Sequence, residues 1–93
     1  MATLYKTDDT VETVRPANGE DFTLEELQGF IGGYIEKVNL NAKQFILCDE
    51  DGKSKQLHRN SNATLIWQQA FPHSRDVLLG PVLVFNVEDN ELR

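Results

Sequence analysis

Cysteine occurs once in this chain, at Cys48. No disulfide can form within it, and a reducing compartment is its natural setting. Basic residues are few: nine Lys and Arg stand against fifteen Asp and Glu, for a net charge of −6. That balance works against direct attraction to a nucleic-acid backbone. No apolar run approaches the length of a membrane span. The first residues, Met1-Ala2-Thr3-Leu4-Tyr5-Lys6, lack the apolar stretch of a signal peptide. A cytoplasmic protein that makes no use of a membrane is expected. Histidine is limited to His58 and His73, and neither stands at zinc spacing from Cys48. No metal and no cofactor is expected.

What is present is the composition of a globular domain. The chain has 93 residues, 40% of them apolar and 26% charged, which is enough for one domain, spanning 1–93, with a thin core. Residues 3–6 and 10–15 have strand content, with a turn at Asp8-Asp9 and a stop at Pro16. Thr23 and Glu26 have the spacing of a capping box, and Phe22 and Leu27 that of a hydrophobic staple. Leu24, Leu27, Phe30 and Ile31 then form one apolar stripe, so a helix is predicted over 24–31, ended by Gly32-Gly33.

Three short strands follow: Tyr34 to Asn39, Gln44 to Cys48, and Lys53 to Leu57. The run Phe45-Ile46-Leu47-Cys48 points to burial on both faces. Asp49-Glu50-Asp51-Gly52 reads as a hairpin turn, and the lysines after it suit an exposed edge. Asn60 or Asn62 caps a second helix, with Ala63, Ile66, Trp67, Ala70 and Phe71 on one face and a stop before Pro72. Val77 to Val87 is the last strand, kinked or bulged at Gly80-Pro81, and a loose charged tail follows over 88–93. The expected fold is α+β, in the order β-β-α-β-β-β-α-β. A small, mostly antiparallel sheet would carry both helices on one face.

The chemistry legible in these residues is sparse. A Cys48–His58 thiol–imidazole pair lacks any accompanying triad or oxyanion signature. Cys48 also closes an apolar strand, where cysteine behaves as a small hydrophobe. Gly32-Gly33 follows a helix and precedes a strand, which suits a C-cap and not a phosphate cradle. Glu36 stands inside a strand that also carries the apolar residues Ile35 and Val38. Lys53, Lys55, His58, Arg59 and Asn60 make the most basic stretch, and it leads into a helix N-terminus, where anions are favoured. The candidate binding residues are therefore Tyr34, Glu36, Lys53, Lys55, His58, Arg59 and Asn60. No catalytic residue is assigned.

Several segments together carry a resemblance. They are Ile31-Gly32-Gly33-Tyr34-Ile35-Glu36 after the helix, the acidic turn Cys48 to Lys53, Asn60-Ser61-Asn62-Ala63-Thr64, and Asp76 to Val84 with its central Gly80. Over about residues 22–87 the chain resembles a domain family of unknown function. That family occurs in short proteins of bacteriophages and mobile elements. The chain departs from the pattern at Pro81 and in residues 1–21. The resemblance implies a bacteriophage or mobile-element origin and supplies no catalytic residues. A small acidic binding protein that counters a host function, such as antiviral defence, is then expected. It would block a host protein or sequester a small nucleotide-like signal, the latter as a homo-oligomer. The alternative is an accessory interaction module of a larger phage or mobile-element assembly, recognisable by an exposed apolar strip at Phe85 or Val87. An enzyme would need Glu36 and Asp49 to converge across neighbouring strands.

Overall fold

The structure, a computed structural model, describes residues 1–87. The elements are β1 (Ala2–Tyr5), β2 (Val11–Val14), α1 (Leu24–Ile31), β3 (Ile35–Asn39), β4 (Gln44–Asp49), α2 (Ser61–Ala70) and β5 (Val82–Asn86). The strands form one sheet in the order β2-β1-β5-β4-β3, and every neighbouring pair is antiparallel. The α+β class and the antiparallel sheet are as expected. The charged tail at 88–93 lies outside the described residues.

Each helix begins where its capping chemistry requires. Thr23 Oγ1 accepts from the Glu26 N–H (3.2 Å), and Glu26 Oε1 accepts from the Thr23 N–H (3.2 Å). The other oxygen of Glu26 accepts from the Ala17 N–H (3.0 Å), which ties the loop after β2 to the same cap. These bonds, that from Ala17 first, hold the Glu26 carboxyl below its ordinary range. The helix ends at Gly32, whose φ of 89° is left-handed. Asn60 caps α2, with its side-chain oxygen accepting from the Ala63 N–H (3.1 Å).

Alternation along the central strands builds two cores. Phe45, Leu47, Leu83, Phe85, Ala2 and Leu4 point to one face, where Phe22, Leu27 and Ile31 of the α1 region meet them. Three rings anchor that side. Phe45 stacks on Phe85 at 5.0 Å, and Phe22 meets Phe85 edge-on at 5.6 Å. Ile46, Cys48 and Val82 point to the opposite face, where Ala63, Ile66, Trp67, Ala70 and Phe71 cover them. Burying each such side chain contributes about 1.5–3 kcal/mol before entropy is counted.

The helices therefore lie on opposite faces of the sheet, and the expectation that both cover one face is corrected. The physical reason lies in β4 and β5, which are apolar at successive positions and need cover on both sides. Residues 53–57 are a second correction. They form a run of turns and not a strand. The Lys55 N–H bonds the Asp51 carbonyl, the Gln56 N–H bonds the Lys53 carbonyl, and Gln56 takes a positive φ of 55°. The last strand is shorter than 77–87. Gly80, at φ 78°, turns the chain out of the ladder before Pro81, and Leu79 makes only an isolated bridge to Arg59. Phe85 is fully buried, so it offers no exposed strip, whereas Val87 is exposed.

Candidate functional site

The order of the sheet leaves β3 at one edge. Even-numbered residues of β3 send their side chains toward the α2 face, and there β3 and β4 do not fill the space to the helix. A cleft of about 330 Å³ results. Glu36 and Val38 of β3 and Cys48 and Asp49 of β4 line its sheet side. Trp67 of α2 and the segment Asp76–Leu79 form the inner wall, and Glu50, Gly52, Lys53 and Ser54 close the end. That volume is at the small end for ligand pockets and holds one or two side chains.

The inner wall is fixed in place. Trp67 packs on Phe71 at a 45° tilt, 4.5 Å between ring centres, and its indole N–H donates to Ser74 Oγ (3.1 Å). The Leu78 N–H donates to buried Thr64 Oγ1 (3.0 Å). The end wall hangs on Asp49, whose side chain is 1% exposed. Asp49 accepts from the Asp51 N–H (2.8 Å) and from Lys55 Nζ (2.8 Å). Burial alone would raise the Asp49 pKa. The Lys55 hydrogen bond, the Asp51 amide and the Lys55 charge outweigh that and hold the carboxyl below its ordinary range.

With Asp49 neutralised by Lys55, the cleft keeps the carboxylates of Glu36, Glu50 and Asp76 against the ammonium of Lys53. Lys53 itself reaches Asp76 at 4.0 Å, an exposed and weak pair. The surface is acidic at the rim and apolar at Val38, Trp67 and Leu78.

The expected binding residues are only partly brought together. Glu36 and Lys53 line the cleft. Tyr34 is 69% exposed and lines a separate, shallower hollow of about 250 Å³ with Gln28, Gly33, Asp51 and Lys55. Lys55 is committed to Asp49. His58 and Arg59 are exposed, outside both hollows. Asn60 is wholly buried and structural. Its amide donates to the Tyr5 and Gly80 carbonyls (2.8 and 2.9 Å) while its oxygen caps α2. The cap occupies the Ala63 N–H that an anion at that helix end would need. Cys48 is buried beside Ile46 and Val82. Burial first, then the charges of Glu36 and Asp49, push its thiol up to about 11.

Sequence reasoning did not assign Val38, Trp67, Asp76 or Leu78 to a site. Trp67 read as core, which it is on one edge. Asp76 and Leu78 reach the cleft only because Gly80 and the Asn60 hydrogen bonds fold their segment back against α2.

A three-layer α+β domain with an acidic, apolar-walled cleft at a free sheet edge is the class that fold and site define. The chain belongs to the DUF3846 family, a domain of unknown function, which it matches over residues 3–92. No curated protein and no solved structure matches it.

Proposed function

We propose that this chain is a non-enzymatic binding domain that holds a positively charged segment of another protein in the cleft beside β3. The observation that carries the reading is the cleft itself. Glu36, Glu50 and Asp76 ring an apolar wall at Val38 and Trp67, and among the described residues Lys53 is the single cation lining the cleft with them. A lysine or arginine side chain satisfies both parts, with its methylenes on the wall and its charge at the rim. Nucleotide phosphates would meet the same carboxylates with like charge, so the protein partner is favoured over the nucleotide signal. A catalytic role draws no support from the groups at hand. Asp49 is ionised and bound to Lys55, and the Cys48 thiol stays protonated at neutral pH.

The bacteriophage or mobile-element origin implied by the sequence resemblance gives this reading its direction. The partner would be a host component, such as one of antiviral defence, blocked by occupation. Titration calorimetry with an arginine- and lysine-containing peptide, and separately with ATP, tests the proposal. Peptide binding that weakens with added salt and with Glu36→Gln is expected. ATP binding that depends on Arg59, with no peptide binding, would overturn it.

A further inference from the structure

The main chain of β3 adds a second recognition element to the cleft. The Glu50 N–H donates to the Tyr34 carbonyl (2.9 Å), and the Leu40 N–H donates to the Gln44 carbonyl (3.0 Å). These pairs continue the register of β3 with β4, in which Glu36 faces Cys48 and Val38 faces Ile46. Hydrogen-bonded pairs alternate in an antiparallel ladder, so the even-numbered residues of β3 bond β4. The N–H and C=O groups of Ile35, Lys37 and Asn39 point the other way, along the edge. No strand among the described residues pairs with them. They form a ready template for one more strand.

We infer that the partner segment adds to the sheet as a sixth strand on β3, and that it is an extended, basic segment of another protein. The inference rests on the cleft reading above and gives the form in which the ligand enters. A strand on β3 places every second side chain on the α2 side, opposite Glu36 and Val38, which is the wall of the cleft. The recognised pattern is a basic residue opposite Glu36 and an apolar residue two positions away, opposite Val38. The intervening side chain falls beside Lys37, on the other face. Lys37 lies 4.5 Å over the Phe45 ring, so its side chain is folded back onto the sheet and away from the edge.

Charge decides between this occupant and a second copy of the chain. Two β3 strands paired about their common centre would set Lys37 directly opposite Lys37, and like charges so placed are destabilising. Each copy would also bring a net charge of −6. A basic partner meets neither obstacle.

The test uses three peptides of one sequence with the alternating basic and apolar pattern. One is unmodified. One carries N-methyl groups on the amides that would face β3, and the third carries them on the amides that face away. The expected result is binding of the first and third, and a loss of about tenfold or more for the second, the worth of one or two hydrogen bonds. On the protein, the Ile35, Lys37 and Asn39 amides become protected from hydrogen exchange when the unmodified peptide is added. Lys37→Pro, which removes an edge-facing N–H that no ladder uses, is expected to fold and to lose the same affinity. Equal binding of all three peptides, without new protection at 35, 37 and 39, would overturn strand addition and leave the cleft reading standing. No binding of any peptide would overturn both.

Discussion

Lys55 Nζ sits 2.8 Å from Asp49 Oδ2, in a space that exists because residue 33 has no side chain. A Cβ at Gly33 would run into Lys55 Nζ and come within 3.0 Å of Asp49 Oδ2. The glycine after α1 thus serves a close approach, beyond marking the end of the helix. Gly33→Ala is expected to push Lys55 off the carboxylate and to cost about 1–2 kcal/mol, from an under-partnered buried acceptor. Urea denaturation at neutral pH measures the loss. The same variant made with Lys55→Met should cost little more than Lys55→Met alone, because the collision has gone.

That clip also sets an acid limit. Asp49 binds its proton at lower pH in the folded chain than in the unfolded one. Its contribution is complete above the ordinary aspartate value of 3.8 and disappears as pH falls through the lower folded value. In Lys55→Met the burial effect is left to dominate, so the folded chain holds the Asp49 proton more tightly than the unfolded one; the variant is weaker at neutral pH and regains stability relative to the parent as pH falls. Thermal unfolding followed from neutral pH down to strong acid separates the two proteins.

Cys48 sets the corresponding limit in alkali. Its folded pKa is about 11 against an ordinary 9.0, so the unfolded chain gives up the proton first. The contribution is whole below 9.0 and is lost as pH rises toward about 11. Cys48→Ala removes this slope, at the cost of a small cavity. At pH 8, iodoacetamide should label the native protein far more slowly than the urea-unfolded chain. Equal rates would place the thiol in solvent.

Asn60 joins three segments through one amide. Asn60→Ala removes the α2 cap and leaves the Tyr5 and Gly80 carbonyls without that donor. A loss of about 3 kcal/mol is expected, part from the cap and part from the buried acceptors. Asn60→Asp keeps the cap oxygen but turns a carboxylate toward two carbonyls. It should be at least as damaging at neutral pH and partly recover in acid. Far-ultraviolet dichroism against temperature reads both.

Gly80 is held by its backbone and by its neighbour. Its φ is 78°, and a Cβ would lie 2.7 Å from Leu57 Cδ1. Gly80→Ala is expected to cost roughly 1–2 kcal/mol in backbone strain and more from the collision. Leu57→Ala in the same chain should relieve the collision and leave the strain. If the double variant were as stable as Leu57→Ala alone, the left-handed conformation would carry no cost.

The parts of the fold legible in the sequence are those with a local cause. Thr23 and Glu26 marked the start of α1 because a capping box needs nothing beyond four residues, and Gly32 marked its end for a similar reason. Residues 53–57 misled because Lys-Ser-Lys-Gln has no apolar alternation of its own. Their conformation is dictated by the Asp49 carboxylate six residues before Lys55. The placement of the helices was half written in Phe45-Ile46-Leu47-Cys48, a run that demands cover on both faces and so conflicts with two helices on one. At the site, Glu36 and Lys53 stood out by their own chemistry. Trp67 and Asp76 could not, since they meet only after α2 and the segment before Gly80 have packed together.

Among the described strands, the last in sequence is the middle one of the sheet. β5 lies between β1 and β4, so the hairpin of β1 and β2 and the hairpin of β3 and β4 touch no common strand until Val82–Asn86 has arrived. During synthesis, therefore, the chain waits as two separate ribbons whose inner edges, β1 and β4, are open and apolar. Closure must come as one late event that joins them across the shared strand.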